Sequence, residues 1–343
     1  MTRLLGAVAL SALATTATAQ DAGELRVYIF FEYIPQELVE KFEAETGIDV
    51  TVDTFDSNEA MLAALKAGRL GEYDVAVPGD YMVEILREQG LADTFAPDEL
   101  ANFGNIDPQW LDVPFDPGRT SSIPYQWGLT AFAVNRDAYQ GPIDSLGIIF
   151  DPPEELRGRI NVLDSQGEVL ALASMYLGIP QCTSDREQLR ALNDMLQEAR
   201  QHWASFGSDT SKEVLVSGDA AAGMIYNGFA TKARNEGANV EYAFPKEGSV
   251  IWMDNVVLLA EAPNRDNALR FMDFLLDPAN AGAVTNYAAY QSGVTGAEEF
   301  TDPAIRDSPE NNPPEGANLG AFVEACDEEA QAFYDAIWTN LKE

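Results

Sequence analysis

The sequence predicts an α/β protein of two lobes, each built on a mainly parallel sheet covered by helices, and three observations carry that expectation. The chain has 343 residues, 46% of them hydrophobic and 10% aromatic, enough for large cores and about two domains. Apolar residues recur with a period near two in some segments and near 3.6 in others, so strands and helices follow one another in βαβ order. No stretch of Ser, Gly and Pro separates the two units, so the lobes are expected to be joined by strands that cross and return.

Residues 25–30 read as a buried strand. Pro35 then opens a helix whose Leu38, Val39 and Phe42 share one face before Gly47 stops it. Ile48, Val50 and Val52 alternate with polar residues as a strand does; Asp56 and Glu59 begin a helix carrying Met61, Leu62 and Leu65 that ends near Gly68. Residues 73–77 form a third strand closed by Pro78, and a helix over 80–89 ends at Gly90. Open parallel sheets bind ligands beyond the carboxyl ends of their strands, which puts residues 30–33 and 79–81 at one rim. A second unit repeats the pattern, with strands at 159–163, 223–226 and 240–244 and helices near 168–177, 186–201 and 229–236. A long strand at 251–260 and an amphipathic helix at 265–276 follow. Residues 303–314 are the loop-rich stretch, and a final helix spans 328–341.

The first residues read as a processing signal. Arg3 supplies positive charge, Leu4 to Leu13 an apolar stretch too short to span a bilayer, and Ala17-Thr18-Ala19 a cleavage signature, so residues 1–19 are a signal peptide and the mature chain begins near Gln20. With no cysteine near that point for a lipid anchor, a free periplasmic protein is expected. Acidic residues number 56 against 21 basic, a formal net charge of -35, and losing Arg3 adds one negative unit. Nucleic acid is excluded as a partner, because phosphate binding needs a basic surface. The acidity suits a solvated surface and also draws in cations. Two cysteines in an exported chain suggest one disulfide, Cys182 with Cys326, a pair of free thiols being the alternative. The one histidine, His202, closes a charged helix beside Trp203 and reads as structural.

Six segments in order, Glu32-Tyr33-Ile34-Pro35, Ser57-Asn58-Glu59-Ala60-Met61, Tyr73-Asp74-Val75-Ala76-Val77-Pro78, Ile123-Pro124-Tyr125-Gln126-Trp127-Gly128, Ile225-Tyr226-Asn227-Gly228 and Pro245-Lys246-Glu247-Gly248 through Trp252-Met253-Asp254, resemble the spermidine/putrescine-binding proteins of polyamine ABC transporters. The likeness covers nearly the whole mature chain. It implies the type II periplasmic binding protein fold, two α/β lobes with interleaved connectivity and a ligand cleft between them. Lobe 1 is expected at 20–128 plus 253–298 and lobe 2 at 129–252 plus 299–343, with hinges near residues 128–130 and 253–255.

The resemblance also implies a ligand set. The family's first cleft aromatic falls on Phe30 or Phe31, next to Glu32, and Tyr33 matches as it stands. A Ser/Thr-rich turn becomes Gly79-Asp80, with Tyr81 retained. Glu168 matches a cleft glutamate, and Ser165 or Asp164 stands where spermidine binders place an aspartate. Tyr226 replaces a tryptophan, Trp252 and Asp254 match an aromatic wall and an amine-binding carboxylate, Tyr290 matches a cleft tyrosine, and Glu324 aligns with a glutamine. Putrescine-preferring members carry an extra aspartate after the turn that reads Asn227-Gly228-Phe229-Ala230 here, which favours a spermidine-like ligand.

A polyamine is a methylene chain bearing separated ammonium groups, so its site needs spaced carboxylates and aromatic faces. The expectation is a monomeric, non-enzymatic clamp that needs no cofactor or metal, binds a small polycation and hands it to an inner-membrane ABC permease. The alternatives are the same fold holding another amine, an amino acid or an anion, and a secreted glycoside hydrolase using Glu168 and Asp254 as its carboxylate pair.

Overall fold

The computed structural model describes residues 23–343; the expected signal peptide lies outside the described residues. In chain order the strands are β1 (Glu24–Phe30), β2 (Asp49–Phe55), β3 (Val75–Ala76), β4 (Asp112–Val113), β5 (Asp116–Pro117) and β6 (Ser122–Asn135). They continue as β7 (Ile160–Val162), β8 (Trp203–Phe206), β9 (Ala222–Tyr226), β10 (Val240–Tyr242), β11 (Val250–Leu258), β12 (Gln291–Ser292) and β13 (Ala321–Phe322). One sheet runs β2-β1-β3-β11-β6-β9-β7-β8 through both lobes.

The outer strands are parallel, β2, β1 and β3 at one end and β9, β7 and β8 at the other. The centre is antiparallel, because β6 leaves the first lobe and β11 returns to it, and the two pair from Val250↔Thr130 to Val257↔Ser122. These are the crossing strands the missing linker implied. One hydrophobic core packs around β1 and β3 with Phe42, Val257 and Phe271; a second packs Phe132, Ile160, Leu192, Trp203 and Leu341; a third covers the other face of β6 and β9 with Leu129, Leu215 and Ile225. Each core draws on separated stretches of chain, so neither lobe is one contiguous segment.

The local rules account for most boundaries. The helix Gln36–Thr46 follows Pro35 and ends where Gly47 takes a left-handed φ of 74° and donates to the Glu43 carbonyl. The helix Asn58–Ala64 is capped by Ser57, whose hydroxyl accepts from the Ala60 amide, rather than starting at Asp56. Residues 303–314 are less loop-like than expected. They hold the short helix Pro303–Arg306, and Glu310, only 2% exposed, accepts from Arg234 Nε at 3.0 Å. An acidic segment is thereby paired and folded onto the helix Asn227–Asn235. Cys182 and Cys326 form a disulfide that ties the chain after β13 to the loop behind the helix Gln166–Leu177. No helix among the described residues is long and apolar enough to cross a membrane.

Candidate ligand-binding site

The ends of β1, β3 and β9 and the middle of β11 meet between the lobes, and each brings one or two polar side chains. After β1 the chain turns sharply, with Glu32 at a φ of 50°, and presents Tyr33. Tyr125 in β6 fixes that turn by donating its hydroxyl to the Tyr33 carbonyl at 2.7 Å. Tyr33 in turn donates to Asp254 Oδ2 at 2.5 Å. The β6–β11 ladder slips by one residue between Asp254 and Asn255, and such bulges re-aim side chains next to functional sites.

On the opposite lobe Glu168 stands in the first turn of the helix Gln166–Leu177. Its Oε1 accepts from Thr130 Oγ1 at 2.5 Å and its Oε2 from the Tyr226 hydroxyl at 3.0 Å. Asp254 and Glu168 keep part of their surface open, but protein packs densely around both carboxylates. Burial raises both pKa values, that of Asp254 to about 7, with the nearby Glu168 charge adding to the shift and the Tyr33 hydroxyl opposing it. Among the described residues neither carboxylate has a Lys, Arg or His partner within ion-pair distance, whereas the more deeply buried Asp116 and Glu310 are paired with Arg87 and Arg234.

Aromatic rings wall the space. Trp252 meets Tyr290 edge to face at 4.8 Å and Tyr226 at 6.0 Å. The indole lies close over Gly128, where a Cβ would come within 2.5 Å of it, so only glycine fits beneath. Gly228 meets the Tyr290 ring in the same way. Tyr33, Tyr226 and Tyr290 have pKa values raised well above 10 by burial and by the neighbouring carboxylates, so their hydroxyls stay protonated, and those of Tyr33 and Tyr226 act as donors.

Of the residues singled out from sequence, Tyr33, Asp254, Trp252, Tyr290, Tyr226, Glu168 and Ser165 come together. Phe30 is partly buried against Phe55 at 4.4 Å and Tyr33 at 6.1 Å, while Phe31 is 71% exposed and Glu32 also faces solvent. Both carboxylate oxygens of Asp80 are engaged by backbone: Oδ2 accepts from Met253 N at 2.8 Å and Oδ1 from Tyr81 N at 2.7 Å. It therefore extends the β11 ladder past the point where β3 ends, between Trp252 and Asp254. Its pKa is pushed up to about 7 by burial, against those two amides. Tyr81 turns outward to Asn58 and Glu59. Glu324 is exposed, its amide donating to Gln181 Oε1 at 3.2 Å. Sequence reasoning missed Thr130 and Tyr125, which act only because β6 crosses the cleft; the apolar flanks of Thr130 were the one available hint. No cluster of three His, Cys, Asp or Glu among the described residues is placed to hold a metal.

A family model for bacterial extracellular solute-binding proteins matches residues 37–313. The spermidine/putrescine-binding periplasmic protein of Escherichia coli strain K12 is 36% identical over 303 residues, 88% of this chain and 86% of that one. A putrescine-binding periplasmic protein of Pseudomonas aeruginosa is 31% identical over 323 residues, covering 89% and 88%. The solved substrate-binding protein of a spermidine/putrescine ABC transporter from Streptococcus pneumoniae superposes with a TM-score of 0.82 at 28% identity, over 93% of this chain and 98% of the other. Sequence and fold agree: this chain belongs to the bacterial extracellular solute-binding proteins, alongside the spermidine/putrescine-binding periplasmic proteins.

Proposed function

We propose that this protein captures a polyamine in the periplasm and delivers it to an ABC importer, without catalysing a reaction. The observation that carries the reading is the pair Asp254 and Glu168, two carboxylates in a densely packed aromatic cleft with hydroxyl donors but no cationic partner among the described residues. An unpaired buried carboxylate costs several kcal/mol by desolvation, a cost that a bound ammonium offsets through a charge-assisted hydrogen bond. Trp252, Tyr226 and Tyr290 supply faces and edges for the methylenes and the charge between. An anion would meet two like charges here, so the field selects cations.

Phe229, packed on Tyr226 at 5.8 Å, stands after the Asn227-Gly228 turn where a further carboxylate would serve a shorter diamine, so a triamine such as spermidine is the preferred ligand in this reading. The protein acts as a monomer whose lobes, bounded near residues 128 and 253, close about β6 and β11. Titration calorimetry of the purified protein with spermidine, putrescine and a neutral sugar tests the proposal. Saturable heat with the amines at about micromolar affinity, tighter for spermidine, and none with the sugar is the expected result. Absence of amine binding, or product formation from an oligosaccharide, would end it.

A further inference from the structure

The floor of the cleft holds a polar side chain that the arrangement above does not use. Gln126 sits in the middle of β6, fully buried, and neither its Oε1 nor its Nε2 meets a hydrogen-bond partner. The register sets it directly across from Asp254 on β11 and from Ser292 on β12. Opposed residues of antiparallel strands project to one face. Two positions along, Gly128 faces Trp252 in the same manner, its missing Cβ leaving room for the indole, which identifies this face as the one that carries the aromatic wall. Trp252 Nε1 is a second buried polar atom without a partner at the same floor. Buried amides are nearly always hydrogen-bonded, so an orphaned one beside a site needs an explanation.

We propose that Gln126 is a ligand-binding residue, its amide oxygen accepting from the same ammonium group that Asp254 holds. This rests on the polyamine reading. An ammonium carries two or three N–H donors; with Tyr33 on Oδ2, the open Oδ1 of Asp254 receives one of them, and another needs an acceptor beside the carboxylate. Gln126 is the acceptor that the register brings there. It adds hydrogen bonding without adding a third negative charge next to Asp254 and Glu168, which would be costly without ligand.

Gln126→Met keeps the length of the side chain and removes the amide. Loss of a hydrogen bond to a charged group should weaken spermidine binding about tenfold or more in calorimetry. The unliganded protein should melt at the same or a higher temperature, because an unpaired buried amide has gone. This opposite movement of affinity and stability separates a ligand contact from a packing role. Unchanged affinity overturns the assignment, as does a fall in affinity that merely follows a fall in unliganded stability. Should the Met protein not fold, Gln126→Leu is read in the same way. A wild-type protein that ignores spermidine sinks the polyamine reading itself; a wild type that binds it, with a variant that binds it equally, sinks only the role of Gln126.

Discussion

Asp254 and Glu168 are the same functional group in the same cleft, yet the protein prepares them differently. Glu168 accepts from two hydroxyls, those of Thr130 and Tyr226, on its own lobe or the strand that enters it. Asp254 accepts from one hydroxyl, that of Tyr33. Glu168 is therefore a built acceptor, held in place before any ligand arrives. Asp254 is left short of partners and gains most when an ammonium approaches. A clamp profits from this asymmetry: one lobe offers a fixed anchor, and the other gains its remaining bond on closure.

The comparison is broken most directly at Asp254. Asp254→Asn keeps shape and removes charge, and should cost about 2–5 kcal/mol of amine binding, roughly thirtyfold to several thousandfold. The unliganded melting temperature should not fall, because an under-satisfied buried charge is gone. Affinity within threefold of wild type would mean that Asp254 does not meet the amine. Glu168→Gln should act differently, since a side-chain amide placed among hydroxyl donors disturbs bonds that exist without ligand. Affinity should drop about tenfold to a hundredfold, and the unliganded melting temperature should also fall, by about 2–4 °C. Equal behaviour of the two variants in thermal melts would erase the distinction drawn between them.

Acidity provides a third handle. Burial raises the folded-state pKa of Asp254 and of Asp80 to about 7 from an ordinary value of 3.8. These two groups hold more protons in the unliganded folded protein than in the unfolded chain across that window, so their contribution to stability decreases as pH rises from about 4 to 7. Ligand binding runs the other way, because an ammonium favours ionised Asp254. Affinity for spermidine should rise about tenfold between roughly pH 5.5 and 7.5, with proton release detectable by calorimetry in buffers of different ionisation heat. A flat profile in the wild type, or the same slope retained in Asp254→Asn, would contradict this. The smallest effect is expected at Glu324, which is exposed beside the disulfide. Glu324→Gln should change affinity by less than about twofold at physiological salt, as a screened surface charge does. A larger loss would bring that segment into the site.

Much of the architecture was legible because period and punctuation agree where one face is buried: β1, β2, the helix Arg186–Arg200 and the final helix Glu328–Lys342 all follow their apolar pattern. What was missed had no such pattern. The helix Pro278–Ala288 is rich in Ala, Asn and Gly, with little amphipathic signal, though Asp277 before Pro278 was a readable start. The strand β6 is buried along almost its whole length on both faces, so its fourteen residues show no alternation. The same strand hides Thr130, Tyr125 and Gln126, whose roles arise only from contacts across the fold, with Glu168, Tyr33 and Asp254 in turn. Asp80 was visible as a helix start, but its bond to Met253 joins residues far apart in sequence.

The interleaving of the two lobes also governs the order in which the molecule can be made. Ala76 in β3 waits for Val257 in β11, more than half the chain away, before the first lobe's sheet is complete. Contacts that distant in sequence demand a large loop closure before they return any stability, and such topologies fold slowly. A chain emerging from the ribosome therefore cannot finish its first lobe until most of its length has followed. Slow closure of this kind leaves a newly made polypeptide extended for longer, the condition in which a chain can still be threaded through a narrow pore.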